Sequence, residues 1–205
     1  KDSTSIIGTI KSTLTEFKDS SIVSSFGGTV RYSRILGAVD DSDSSITRNT
    51  TKLRMRKNMI VAENTEATYE ICFNNPLLIN HDSSVVYSTG FLLPDDEEIY
   101  YFENIPQPFG ETTGSIQRFH FNDLNEKIVD DKNFGIIDFV EGEINLGLTE
   151  SINIASTVIG NGIIEVRSYP QEVGQDIEGK GNVYLSFDVA KSDIQATIDS
   201  QSTGS

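Results

Sequence analysis

The sequence predicts an α+β protein in which two N-terminal helices lie on a small antiparallel sheet and a mostly antiparallel β module follows. Apolar residues recur at helical spacing in the first part of the chain, and from about residue 53 they alternate with a period of two. The helical pattern ends after Asn74-Asn75-Pro76, beyond which short strand candidates alternate with turn residues. We therefore expect a helical and sheet (αβ) region over residues 1–76 and a β-rich module over residues 77–205.

Two amphipathic helices are predicted near the N-terminus. The first runs from Ile6 to Phe17, with Ser3 or Ser5 as its N-cap. The second follows Gly27-Gly28 and ends at the acidic run that begins at Asp40. Each has one apolar stripe, formed by Ile6, Ile10, Leu14 and Phe17 in the first helix and by Tyr32, Ile35, Leu36 and Val39 in the second.

Alternating apolar residues predict the strands. Leu53 and Met55 alternate with charged residues, and a second alternating run extends from Tyr69 to Phe73. These two strands form the small sheet that we expect beneath the helices. Further candidates cover residues 85–93, 99–103, 115–121, 127–131, 152–159, 162–169, 183–189 and 194–198, a spacing typical of a sandwich or a barrel-like module.

Two hairpins are predicted with defined registers. The first has a two-residue turn at Glu141-Gly142, and a slip by one residue would mix its apolar and polar faces. The second turns at Asn161-Gly162, a strong hairpin signal. The expected pairs are Phe139–Ile144, Ile137–Leu146, Asp138–Asn145 and Val140–Glu143 in the first hairpin, and Ile159–Ile164 and Thr157–Val166 in the second.

The composition excludes several classes of function. The chain has 31 acidic and 16 basic residues and a formal net charge of −15, which argues against nucleic acid as a partner because phosphate binding needs a basic face. No apolar run has the length of a membrane span or a signal peptide. The single cysteine, Cys72, rules out a disulfide framework and is expected to be a buried, reduced thiol. Lys1 is not a translation start, so we expect a fragment of a longer protein or a truncated expression product.

Few residues are candidates for catalysis or metal binding. Neither His81 nor His120 has Cys, Asp or Glu at the spacing that a metal site or a catalytic triad needs, and His120 is expected to be exposed or on an edge strand. The run 41–43 lacks the glycine and the glutamate of a calcium loop, and the acids 95–98 read as a solvated loop tip. The sequence therefore predicts no catalytic, metal-binding or cofactor-binding residue, no small-molecule substrate and no enzyme activity.

The basic residues Lys52, Arg54 and Arg56, with Lys57 beside them, are the candidate interface residues. In a chain this acidic, a basic strand face can bind the acidic surface of a second copy or of a neighbour. Alternatively, the long charged side chains protect an edge strand from unwanted pairing. Both interpretations stay open at the level of the sequence.

Six segments, in their order and spacing, carry a family resemblance: RYSRILGAVDDSDSSITRN (31–49), LRMRKN (53–58), YEICFNNPL (69–77), FGIIDFVEGEINL (134–146), IEVRSYPQEVGQDI (164–177) and VYLSFDVAKSDIQAT (183–197). Together they resemble the C-terminal region of the large dimerising baseplate wedge protein of contractile-tailed, T-even-type bacteriophages. The fourth segment is similar to that family's G-x-I-D-Y-x-x-G-x-I run, with Phe139 at the aromatic position.

The resemblance implies a structural virion protein of the tail baseplate that is assembled in the host cytoplasm. Its expected partners are a second copy of itself, with which it forms a homodimer, and other baseplate wedge proteins. Such dimers link neighbouring wedges into a ring around the tail hub, which rearranges when the phage engages its host and so triggers sheath contraction.

Two other functions remain open. A phage-surface or extracellular β-rich module that recognises a glycan or a receptor would need aromatic platforms, and a hydrolase would need two carboxylates of different acidity in one cleft. The aromatic candidates are Tyr87, Tyr100, Tyr101, Phe102 and Phe109.

Overall fold

The computed structural model describes residues 2–19, 27–180 and 185–197. The chain forms two compact units, one comprising Lys1–Lys52 and Gly174–Ser205, the other Leu53–Val173. Within the described ranges the helices are α1 (Ser3–Asp19) and α2 (Tyr32–Asp40). The strands are β1 (Thr29–Val30), β2 (Met55–Ile60), β3 (Glu66–Ala67), β4 (Tyr69–Cys72), β5 (Tyr87–Ser88), β6 (Phe91–Leu92), β7 (Tyr100–Asn104), β8 (Thr113–Phe121), β9 (Lys127–Asp138), β10 (Glu143–Leu146), β11 (Ile152–Asn153), β12 (Ser156–Thr157), β13 (Ile163–Ser168) and β14 (Ile177–Glu178).

The two helices pack on each other through the predicted stripes. Ile10 and Leu14 of α1 are buried, as are Ile35 and Val39 of α2, which confirms both helices and their apolar faces. The predicted cap of α1 is wrong, because Asp2 accepts the hydrogen bond from the Ser5 amide at 2.8 Å. An aspartate three residues ahead of that amide satisfies it as well as a serine would, and its charge suits the helix N-terminus.

The first unit is discontinuous because the C-terminal part of the chain returns to α2. Strand β14 pairs with β1 in a two-stranded antiparallel sheet. At the start of α2, Asp176 accepts a hydrogen bond from the Tyr32 amide at 2.9 Å. The Tyr32 hydroxyl in turn donates to the Thr51 carbonyl at 2.8 Å. Tyr32 thus joins three segments of the unit that are distant in sequence.

The second unit is built on a ten-stranded antiparallel sheet with the strand order β2-β13-β5-β7-β8-β9-β10-β4. Strand β6 joins it beside β7, and β12 pairs with β6, while β11 and β3 form a separate two-stranded sheet. The fold is therefore α+β with a large, mostly antiparallel β part. Its core contains Phe91, Phe102 and Phe134, whose ring centroids lie 5.9–6.4 Å apart.

The two strands predicted to form a small sheet do not pair with each other. Strands β2 and β4 lie at opposite ends of the ten-stranded order, paired with β13 and β10 respectively. Both precede residue 76, where the sequence suggested a boundary, and both belong to the second unit. Alternation reveals that one face of a strand is buried, but it does not identify the neighbouring strand.

The register predicted for the hairpin around Gly142 is wrong by two residues. Ile144 pairs with Ile137 rather than with Phe139, and a four-residue turn connects the strands. Asp138 makes this turn, since its Oδ1 accepts hydrogen bonds from the amides of Val140 and Glu141, and its carbonyl accepts one from Gly142. A slip by two residues preserves the faces, so the predicted burial of Ile137, Phe139, Ile144 and Leu146 is confirmed.

The pairing predicted across Asn161-Gly162 is also wrong. Strand β13 pairs with β2 and β5, whereas β12 pairs with β6. Gly160, Asn161 and Gly162 all have positive φ, and the Gly162 carbonyl accepts a hydrogen bond from the Val61 amide at 2.7 Å. Three consecutive left-handed residues turn the chain away from β12. The Asn161-Gly162 turn therefore does not close a hairpin, and β13 pairs with strands that are distant in sequence.

Other strand boundaries differ as well. The candidates 85–93 and 152–159 each form two strands of two residues, whereas β9 is one strand of 12 residues that reaches from Lys127 into the hairpin. No strand is found in residues 185–197, where Asp188 and Val189 accept hydrogen bonds from the amides of Lys191 and Ser192 in a turn. Residues 183, 184 and 198 of the last two candidates lie outside the described residues.

Candidate functional site

The predicted interface residues lie where the chain enters the sheet unit. Lys52 and Arg54 are exposed and precede β2, and Arg56 is exposed on β2 itself. Lys57 lies on the opposite face of this strand, because successive side chains alternate. Strand β2 ends the strand order of the sheet, which agrees with the interpretation of the basic residues as protection of an edge strand.

Arg56 forms an ion pair within its own chain. Its Nη1 atom lies 3.3 Å from Oε1 of Glu165, which also binds Arg167 at 2.7 Å. Glu165 is only 5% exposed, so it depends on these arginines for compensation of its charge. Lys52 and Arg54 are therefore better test positions than Arg56 for a contact with another molecule.

A second surface, which sequence reasoning missed, lies at the end of the sheet where β7 begins and β8 ends. Because Tyr100 pairs with His120, the loop 93–99 and the turn 122–126 lie side by side. Three apolar side chains are exposed here, with exposed fractions of 40% for Ile99, 41% for Phe121 and 78% for Leu124. We call this surface the acidic end, because Asp95, Glu97, Glu98, Asp123 and Glu126 are exposed on it.

Hydrogen bonds shape both loops of the acidic end. Oδ1 of Asn122 accepts hydrogen bonds from the amides of Leu124 and Glu126, at 3.0 and 2.9 Å. Oδ1 of Asp96 accepts one from the Glu98 amide at 2.9 Å, and Oδ2 accepts one from the Tyr100 hydroxyl at 2.7 Å. The exposed Leu124 is therefore presented by a turn with a defined shape.

These bonds also tune the protonation of the acidic end. The Glu98 amide and the Tyr100 hydroxyl lower the pKa of Asp96, so the carboxylate stays charged at neutral pH. The same hydrogen bond, with burial, raises the pKa of Tyr100 to about 12. His120 packs edge-on against Tyr100 from β8, an interior strand, which corrects the expectation of an exposed or edge position.

Cys72 belongs to a small group of potential ligands. Ligand atoms of Glu70, Cys72 and Glu143 lie within 4.8 Å of one another, beside a cleft between β2 and β4 to which Lys57 contributes. Burial, then the hydrogen bond to Glu70 and the two carboxylates raise the pKa of the Cys72 thiol to about 11. The thiol is half-buried rather than fully buried and stays protonated, which disfavours thiolate chemistry.

The remaining candidates for chemistry or ligand binding do not converge. Nδ1 of His81 lies 2.6 Å from the Gln107 carbonyl, and its ring packs on Phe109 with centroids 3.8 Å apart. Neither histidine belongs to the three-residue ligand group found among the described residues.

Of the aromatic candidates, Tyr100 and Phe102 are buried, whereas Tyr87 and Phe109 are exposed. No shared aromatic platform is formed by these two, since Tyr87 faces Glu103 and Phe109 covers His81.

Neither helix described in residues 2–19 and 27–180 combines the length and the apolar character that a membrane crossing requires.

No curated protein matches the chain. Residues 1–58 match the family model described as baseplate structural protein gp6, C-terminal domain III. The matched range contains α1, α2 and the start of β2, and it includes the first two segments of the family resemblance. Over residues 1–58, the chain therefore matches the C-terminal domain III family of the baseplate structural protein gp6.

Proposed function

We propose that this chain is a non-enzymatic part of a phage baseplate wedge that associates with a second copy and thereby links neighbouring wedges into a ring. The family match over residues 1–58 is the observation that carries the proposal. Other baseplate wedge proteins are its further partners, and it joins them during assembly in the host cytoplasm. Such a role needs extended protein contacts rather than a reactive centre.

The features of the chain are consistent with this role. A formal charge of −15 on each copy opposes association, so a stable contact must bury apolar surface or bring opposite charges together. Lys52 and Arg54 provide exposed positive charge, and Ile60 on β2 provides an apolar side chain that is 79% exposed. We therefore assign the contact to the stretch that contains Lys52, Arg54 and Arg56.

Sedimentation of the 205-residue chain at low and high ionic strength tests the proposal. A contact between opposite charges weakens as salt is added, whereas a purely apolar contact strengthens because the net repulsion is screened. For the charge-matched contact we expect a dimer at low salt that Lys52→Glu/Arg54→Glu weakens by about tenfold or more.

The matched control is Lys132→Glu/Lys180→Glu, which changes the net charge equally at two exposed positions elsewhere. It should weaken the dimer much less than the interface variant does. A monomer at every salt and protein concentration would refute self-association of this chain, and equal effects of the two variants would refute the assignment of the interface.

A further inference from the structure

The acidic end has the composition of a contact surface. Ile99 and Phe121 lie on the outer face of the sheet, the face away from the buried Phe102, because they alternate with the inward-facing Tyr100 and His120. Tyr101 and the 6% exposed Phe119 stack beside them, with ring centroids 5.6 Å apart. An apolar centre surrounded by charged residues is the usual arrangement of a protein interface.

The charge of the acidic end restricts what can cover it. Four consecutive acids precede Ile99, and two more flank Leu124 in the turn. The one lysine close to the cluster, Lys127, is bound by the buried Glu103 at 2.6 Å and lies over the Phe119 ring. A partner must therefore combine apolar side chains with positive charge.

The same chain contains a surface of that kind. The exposed Lys52 and Arg54 precede β2, and the exposed Arg56 and Ile60 lie on one face of that strand. Across the sheet, Arg56 pairs with Arg167, Arg167 with Tyr87, and Tyr87 with Glu103. All four side chains therefore lie on the outer face. We call this surface the basic edge. It faces the same side of the sheet as the acidic end and is separated from it by β13 and β5.

We propose that the acidic end of one copy binds the basic edge of a second copy, and that the reverse contact forms at the same time about a two-fold axis. Two surfaces on one face of a sheet allow such a reciprocal pairing, in which Leu124 of each copy packs near Ile60 of the other. This inference rests on the self-association proposed above and names the surface that meets the basic residues.

Charge reversal on the two surfaces tests the pairing. The acid variant is Glu97→Lys/Glu98→Lys, which leaves the structural Asp96 and Asn122 intact, and the basic variant is Lys52→Glu/Arg54→Glu, which leaves Arg56 with Glu165. Each variant of the full chain is examined by sedimentation at low salt, alone and in an equimolar mixture. Circular dichroism and thermal melting verify that both variants are folded.

Each variant alone should dimerise about tenfold or more weakly than the wild type, and the mixture should form a dimer again, because both contacts in the mixed pair join opposite charges. Net charge alone predicts the opposite for the acid variant, since that variant is less negative and would associate more strongly. A chain carrying all four substitutions should dimerise like the wild type.

The outcomes separate this inference from the proposed function. A wild-type chain that stays monomeric at high concentration would overturn both. A wild-type dimer that survives the acid variant, or variants that fail to restore each other in the mixture, would overturn the pairing and leave self-association standing.

Discussion

At the scale of single residues, hydrogen bonds to carboxylates raise the pKa of two polar side chains. Cys72 donates to Glu70 at 3.1 Å, and Tyr100 donates to Asp96 at 2.7 Å. Burial is the largest cause of the raised pKa of Cys72, and the bond to Glu70 adds to it, whereas the bond to Asp96 is the largest cause for Tyr100. Glu70 lies two residues from Cys72, so the alternation of the strand places both side chains on one face. Glu143 comes close to Cys72 only because β10 pairs with β4.

The raised pKa of Cys72 predicts slow alkylation. At pH 8 the folded protein should react with iodoacetamide much more slowly than the urea-unfolded chain, because little thiolate is present below a pKa of about 11. Glu70→Gln should accelerate the reaction severalfold, since it removes a charge that raises the pKa. Glu63→Gln, at an exposed position outside the cluster, is the control, and equal rates for the two variants would contradict the assigned cause.

The Tyr100 hydroxyl predicts a loss of stability at alkaline pH. Its folded pKa of about 12 lies above the ordinary value of about 10, so its stabilising contribution is complete below about pH 10 and is lost as the pH rises towards 12. Asp96→Asn should lower this pKa, which an ultraviolet titration of tyrosinate compared with Tyr100→Phe can measure. An unchanged titration in Asp96→Asn would show that Asp96 is not the cause.

At the scale of elements, periodicity predicts burial well and pairing poorly. The stripes of α1 and α2 and the apolar face of the β9–β10 hairpin were predictable, because each depends on the repeat of one short segment. The hairpin register was not, since a slip by two residues leaves the same side chains buried. The turn decides the register, because the Asp138 hydrogen bonds and the positive φ of Gly142 favour a turn of four residues over one of two.

Truncation of Phe139 tests the buried face of this hairpin. Phe139 is 1% exposed, so Phe139→Ala should lower the free energy of unfolding by about 3–5 kcal/mol. The neighbouring Val140 is 49% exposed, and Val140→Ala should change it by about 0.5 kcal/mol or less. Urea unfolding of the two variants provides the comparison, and similar losses would contradict the assignment of faces.

At the scale of the whole molecule, the chain forms one continuous unit and one discontinuous unit. The sheet unit is one continuous segment, Leu53–Val173, whereas the helical unit combines both ends of the chain. The change from helical to alternating patterns marks the first crossing between units near residue 53. No local pattern marks the second crossing, because the return of β14 to β1 is a contact between distant segments.

The continuous unit should fold by itself. Leu53–Val173 contains all ten strands of the large sheet and the buried Phe91, Phe102 and Phe134, so its core does not require the helices. Expressed alone, it should unfold in one cooperative transition with urea and retain a β-type circular dichroism spectrum. An unfolded product would contradict the independence of this core, and the full chain measured in parallel serves as the control.

The sequence by itself determined the α+β class, both helices, the face that each alternating segment buries and the resemblance to a baseplate wedge protein. These features follow from repeats and motifs within short segments, where the covalent geometry of helix and strand ties sequence position to direction in space. Tertiary structure alone decided that β13 pairs with β2, that β2 and β4 end the strand order, and that the acids before Ile99 lie beside Leu124. The reason is that strand pairing joins residues far apart in sequence, and many pairings satisfy the same alternating pattern.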